Sequence, residues 1–221
     1  MGIESNVQKI LSGIPPHVNL EAAAKTRTGE EVQRAIDAGV RIIGENYLQE
    51  GEKMIGELGS VTRWHYIGHL QSNKIKKIVS LFDMIETVGS LKYADLIDKH
   101  AEAISKTMPV LVEINSGKEE QKNGIYPDDA NDFIREVSSL ENIRVSGLMT
   151  MGRHTGGEDV IRKCFSNTKA LFDEISSLKI KNCNFEYLSM GMSSSYQIAI
   201  EEGANIIRVG EGIFGPRNYS I

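Results

Sequence analysis

Short apolar, β-branched runs alternate along the chain with stretches whose apolar residues recur at helical spacing. The runs that read as strands are Val18–Ala24, Arg41–Gly44, Trp64–Ile67, Met84–Thr87, Val110–Ile114, Ile143–Met149, Phe185–Ser189 and Asn205–Val209. They number eight, at a mean spacing of about 26 residues, close to the length of one βα unit. Between them, Leu91, Ala94, Ile97, Ala101 and Ile104 mark one amphipathic helix, and Ala130, Phe133, Ile134, Val137 and Leu140 mark another. Residues Val160 to Leu178 carry a longer stripe of the same kind. Gly39 and Gly203 are placed to stop the helices Glu30–Ala38 and Tyr196–Glu202, and Pro127 suits a first helical turn.

Strict βα alternation leaves two topologies, an open doubly wound sheet or a closed barrel. Eight strands in 221 residues favour the closed (β/α)8 TIM barrel, as an α/β fold over one domain, 1–221. The first 17 residues (1–17) are too short for a further domain and are expected to form a helix across the bottom of the barrel. The segments AGVRIIGEN from Ala38 and EGANIIRVGEG from Glu202 echo each other, as repeated βα units would.

Composition narrows the function without naming it. The chain is 40% hydrophobic and 25% charged, with a formal net charge of −5. That balance gives no basic footprint for nucleic acid and no attraction to anionic membranes. No apolar run reaches the length of a membrane span, the segment MGIESNVQKI has no signal-like core, and Asn6 stands where a myristoylation signal needs Ser or Thr. The expectation is a cytoplasmic protein. Cys164 and Cys183 fit neither a disulfide framework nor a metal set, and Cys164 falls in an apolar stripe as a core thiol would.

In such a barrel the chemistry belongs at the C-terminal ends of the strands. The residues just past those ends include Lys25, Glu45, Asn46, Gly68, His69, Asn115, Thr150, Met151, Met190 to Ser195, and Gly210 to Gly212. Lys25 continues the first strand into the barrel mouth. Burial disfavours an ammonium, and a neutral amine can add to a carbonyl; a solvated loop lysine is an equal reading on position alone. The small residues of Ser189–Ser195 and Arg208–Gly212 allow close approach to an anion after strands 7 and 8, the usual phosphate position of these barrels. An ordinary capped turn is the plainer reading of either loop by itself. His65 and His69 straddle a strand end, share no helix face, and have no third ligand nearby in sequence, so no metal is expected. His100 and His154 read as surface residues, and Lys74, Lys76 and Lys77 as a solvated helix face. A phosphate site beside an imine-forming lysine points to a phosphorylated aldehyde or ketone. Pyridoxal 5'-phosphate (PLP) and the substrate of a Schiff-base aldolase both meet that description.

Five ordered motifs then carry a resemblance: Ala24-Lys25-Thr26; Gly44-Glu45-Asn46-Tyr47; Trp64 to Gln71; Leu188 to Ser193; and Arg208 to Gly215. Together, over about Val18 to Tyr219, they resemble the YggS/PROSC family of PLP homeostasis proteins. The resemblance implies a fold-type III PLP-binding barrel, like the N-terminal domain of alanine racemase. It implies PLP held as a Schiff base on Lys25, phosphate held by Ser193 and the backbone amides of Gly210 and Glu211, Arg208 facing the pyridine nitrogen, and Asn46 near the ring. Ala23-Ala24, Ser194-Ser195 and Glu211 depart from the common pattern, and Glu211 has no hydroxyl to give a phosphate. The role implied is to sequester PLP and pass it to apo PLP-dependent enzymes, without catalytic turnover; a weak amino-acid racemase is the alternative. A monomer is expected, since the racemase's additional domain is missing.

Overall fold

The computed structural model describes residues 2–153 and 157–216. His154 and Tyr219, both considered above, lie outside them. The elements run α1 (Ile3–Gly13), β1 (Asn19–Ala23), α2 (Gly29–Asp37), β2 (Ile42–Glu45), α3 (Leu48–Leu58), β3 (Arg63–Tyr66), α4 (Ile75–Leu81), β4 (Met84–Val88), α5 (Leu91–Glu102) and β5 (Met108–Glu113). A 3-10 turn (Pro127–Asp129), α6 (Ala130–Ser138), β6 (Ile143–Met149), α7 (Gly157–Ser177), β7 (Cys183–Ser189), α8 (Tyr196–Glu201), β8 (Ile206–Val209) and α9 (Glu211–Phe214) follow. The strands close in sequence order into an eight-stranded barrel. Parallel pairing of β1 with β8, through Asn19 and Ile206, seals it. All eight strands fall where the apolar runs place them.

Side-chain alternation on each strand sorts the residues into two sets. Leu20, Ala22, Ala24, Ile43, Ile85, Val110, Val112, Leu148 and Leu188 face the helices and join the main core. The residues between them face the barrel axis, where Met84, Leu111 and Met149 form a small separate cluster with Tyr187 packed against it. Helix boundaries follow local chemistry. Thr28 caps α2 in a reciprocal pair with Glu31. Gly39 and Gly203 follow their helices at φ +114° and +93°, a conformation that favours glycine.

The N-terminal helix forms, but it does not cross the bottom. Ile3, Val7 and Ile10 bury one stripe of α1, Glu4 pairs with Arg34 of α2 at 2.6 Å, and Asn6 Nδ2 donates to the Ile213 carbonyl of α9 at 2.9 Å. The reason is the shortness of α9, four residues long, which leaves the flank between β8 and β1 uncovered. The apolar stripe of α1 fills that place in the outer ring. Among the described residues, no helix is long and apolar enough to cross a membrane.

Candidate functional site

The inward set continues past the strand ends and builds the barrel mouth. On β1 it runs Asn19, Glu21, Ala23 and then Lys25; on β2 it reaches Asn46, on β3 Ile67, and on β8 Arg208 and Gly210. All six residues expected at the site, Lys25, Asn46, Ser193, Arg208, Gly210 and Glu211, line one cavity of about 580 Å³, with Ala23, Ile67, Met151 and Met192 among the remaining wall.

Lys25 is half-buried, and its Nζ lies 5.1 Å from the centroid of the Tyr47 ring. The backbone N–H of Ala24 still donates to Gly44 of β2 at 2.9 Å. The chain then turns sharply at Thr26, whose φ is +66°. This turn ends the strand directly after Lys25 and leaves its amine at the mouth.

Opposite stands the anion-sized loop pair. Gly191 has φ +89°, and a Cβ there would come within 2.5 Å of the Ala199 Cβ, so the β7–α8 loop needs glycine to fold against α8. Ser193 Oγ accepts from the Gly212 N–H at 3.2 Å, which joins this loop to the start of α9. Gly210 and Glu211 open α9, and the first turn of a helix presents N–H groups and partial positive charge to an anion. The Glu211 side chain is exposed. Asn46 Nδ2 reaches the Ile67 carbonyl at 3.5 Å.

Arg208 forms the floor. It is 3% exposed; Nη1 donates to Ser189 Oγ at 2.6 Å and Nη2 to the Thr150 carbonyl at 2.8 Å. Ser189 Oγ in turn donates to Glu86 Oε2 at 2.7 Å, and Glu86 Oε1 lies 2.7 Å from His65 Nδ1. Glu21 Oε2 stands 3.6 Å from the same nitrogen, and neither Glu21 oxygen has a hydrogen-bond partner. Burial, reinforced by the Glu86 charge, raises the Glu21 carboxyl well above the carboxylate range. Burial also opposes the Glu86 charge, yet His65 and Arg208 outweigh it and hold Glu86 ionised. The His65 imidazole loses solvation too, but the two carboxylates push it up to about 9.

This interior layer was not legible as motifs. Glu21, His65 and Glu86, from three different strands, bring side-chain atoms within 4.8 Å of one another, a grouping that their spacing in sequence does not reveal. The available signal was a charged residue inside a strand buried on both faces, as in Leu20-Glu21-Ala22, Ile85-Glu86-Thr87 and Ile207-Arg208-Val209. The expectation for Glu45 is corrected. Its Cβ packs toward the position of Gly51 on α3, away from the mouth, and both its oxygens are buried without partners. Burial and the neighbouring Glu50 charge push its carboxyl up to about 8.

A second cavity of about 290 Å³ adjoins the first, sharing Ile67 and Met151 with it. Gly68, His69, Asn115, Thr150 and Glu113 line it, so several of the strand-end residues belong to this compartment. Burial raises the Glu113 carboxyl, while Arg208 draws it the other way.

Comparison with known proteins gives a consistent picture. The family described as "Alanine racemase, N-terminal domain" matches residues 2–218. A pyridoxal phosphate homeostasis protein of Pasteurella multocida is 33% identical over 206 residues, covering 92% of this chain and 88% of its own. The protein of the same name from Escherichia coli is 34% identical over 210 residues, covering 93% and 88%. Among solved structures, PipY of Synechococcus elongatus, determined with PLP bound, superposes with a TM-score of 0.88 at 30% identity, covering 96% of this chain and 100% of that one. Alanine racemase of Clostridium difficile shares the fold, with a TM-score of 0.85 at 17% identity over 99% of this chain and 58% of that one. The identities hold across nearly the whole length of both partners, and the chain belongs to the pyridoxal phosphate homeostasis protein family, built on the alanine racemase N-terminal barrel.

Proposed function

We propose that this chain binds PLP in the 580 Å³ cavity, held covalently on Lys25, and that it buffers PLP and supplies it to apo-enzymes. The observation that carries this reading is the gathering of a lysine amine, an arginine and two anion-sized loops around one cavity. The volume suits a small ligand of this size. When bound, PLP supplies a reactive aldehyde carbon that a lysine amine can capture.

The residues divide the work by chemistry. Lys25 provides the amine, brought to the mouth by the turn at Thr26. Ser193 and the opening turn of α9, with Gly210 and Glu211, hold the phosphate. Asn46 would lie beside the ring, and Arg208 would face the ring nitrogen. An arginine keeps its proton, so it would leave that nitrogen unprotonated and weaken the cofactor as an electron sink, which disfavours transamination and decarboxylation.

Racemisation, the alternative reading, would also need a proton donor on each face of the cofactor. Tyr66 spends its hydroxyl on the His69 carbonyl at 3.1 Å, and burial pushes it up to about 12. Tyr47 lies against Lys25 itself. These features favour a carrier without catalytic turnover.

The test is the visible absorption of wild type and Lys25→Ala, each incubated with PLP and desalted. A lysine-bound chromophore in wild type that is missing from the variant supports the reading. Failure of wild type to retain PLP would overturn it in favour of a barrel acting on another phosphorylated carbonyl compound.

A further inference from the structure

Five side chains from five strands form one buried run beneath the cavity. From β1 to β8 they are Glu21, His65, Glu86, Ser189 and Arg208, joined by contacts of 3.6, 2.7, 2.7 and 2.6 Å. Each is at most 3% exposed. The run ends at the cavity floor, because Arg208 is also part of the cavity wall.

The hydrogen bonds have a fixed direction at one end. The Arg208 guanidinium can only donate, so Ser189 Oγ accepts from it and spends its own proton on Glu86. Glu86 thereby uses one oxygen on Ser189 and the other on His65. Glu21 is the odd member, with two buried oxygens and no hydrogen-bond partner. A buried carboxylate without a partner is costly, while the protonated acid is not charged, so Glu21 is the group whose charge the environment leaves undecided.

Charge accounting across the barrel interior supports this assignment. The groups that face Glu21 are His65 from β3 and Glu86 from β4, with Arg208 of β8 its partner in strand register, Glu113 of β5 beyond Arg208 and Tyr187 of β7 in the adjoining inward layer. Gly44 of β2 and Met149 of β6 carry no charge. With Glu21 and Glu113 both holding their protons, His65, Glu86 and Arg208 sum to one net positive charge. With Glu21 ionised, the three plus Glu21 sum to zero. A metal ion bridging Glu21, His65 and Glu86 would have to displace the 2.7 Å contact of His65 with Glu86 and sit near the Arg208 cation, so a proton is the simpler occupant.

We propose that Glu86, acting through Ser189, is a positioning residue for Arg208, and that a single proton on Glu21 sets how strongly the cavity above holds an anionic ligand. This rests on the reading that the cavity takes PLP, and extends it to release. As Glu21 loses its proton, the interior loses its net positive charge and the grip on a phosphorylated ligand weakens.

The experiment measures the PLP dissociation constant by absorbance titration from pH 5.5 to 9 for wild type and Glu21→Gln. Glutamine mimics the neutral acid at every pH, and the charge of His65 is followed in each protein by its imidazole NMR shift, because Glu21 helps to raise its pKa. The ratio of wild-type to variant constants is expected to stay near one at the acid end and to rise about tenfold at the alkaline end, the order of effect that one added charge produces in a partly screened interior. Ser189→Ala, which cuts Glu86 from Arg208, is expected to weaken binding at every pH and to leave the Glu21 step in place, and restoring the hydroxyl with Ser189→Thr should recover binding; a lowered melting temperature with unchanged PLP affinity would overturn the positioning role. Inorganic phosphate, titrated by calorimetry over the same range, separates the two readings. A pH step with phosphate but no retention of PLP would keep the relay and overturn the carrier. Parallel profiles for wild type and Glu21→Gln with both probes would overturn the relay.

Discussion

Glu50 holds Thr26: its Oε2 accepts from the Thr26 N–H at 2.9 Å, while Thr26 sits at φ +66°. A β-branched residue disfavours this left-handed backbone by roughly 1–2 kcal/mol, so the turn after Lys25 persists because α3 secures it from outside. Glu50→Ala is expected to cost about 1–2 kcal/mol of stability and to weaken PLP retention, because Lys25 is no longer delivered to one place. Glu50→Gln, which keeps an acceptor, should lose less of both. Chemical denaturation and absorbance titration check the pair; equal PLP affinity in all three proteins would show that the turn does not position the lysine.

Glu45 gives the fold a pH dependence of definite sign. Below about 4.5 the folded and unfolded chains both hold its proton. Between about 4.5 and about 8 the folded chain keeps a proton that the unfolded chain releases, so stability falls across this window and then levels off. The loss reaches up to about 5 kcal/mol. Glu45→Gln should match wild type near pH 4.5, because the neutral amide stands in for the neutral acid, and exceed it at pH 8. Denaturation at several pH values tests this, and a variant curve parallel to wild type would count against it.

Arg27 ties the end of α9 to the loop that follows β1. It donates to the Gly215 carbonyl at 2.6 Å, stands 5.4 Å over the Phe214 ring, and is 7% exposed as a side chain. Arg27→Ala is expected to destabilise by about 2 kcal/mol through lost charge-assisted bonds and to loosen the turn that faces the phosphate. Hydrogen exchange at residues 210–214 should rise in the variant while the β3–β5 strands stay protected.

Ser193 bridges the two loops that face the anion, since its Oγ accepts from Gly212 N–H. Ser193→Ala should weaken PLP binding about tenfold, the loss of one hydrogen bond to a charged ligand, with little change in melting temperature. Gly191→Ala should do the reverse in emphasis: a Cβ 2.5 Å from the Ala199 Cβ forces the loop off α8, and stability falls by about 2 kcal/mol or more.

What could be read in advance follows from the range of each interaction. The eight strands and Lys25 are local properties, because alternation fixes which side of β1 a residue faces, and residues 19, 21, 23 and 25 share the inner side. Ser193 and Gly210 came from loops in known positions of the fold, and Arg208, inside β8, from the family resemblance. The Glu21–His65–Glu86–Ser189–Arg208 run was invisible because its members lie on different strands and meet only across the closed barrel. The position of α1 depended on the length of α9, which only the closed ring reveals. Glu45 was adjacent to a site residue in sequence, yet one step along a strand put it on the opposite face.

The sealing of β1 against β8 also orders events in time. Asn19 pairs with Ile206 and Asn6 with Ile213, so these earlier-made residues find their neighbours only when residue 206 and beyond have been made. Until then β1 and β7 are two open sheet edges, and the ends of a very long loop must still be brought together. Nascent chains stalled short of β8 are therefore the species most exposed to wrong pairing and to chaperones.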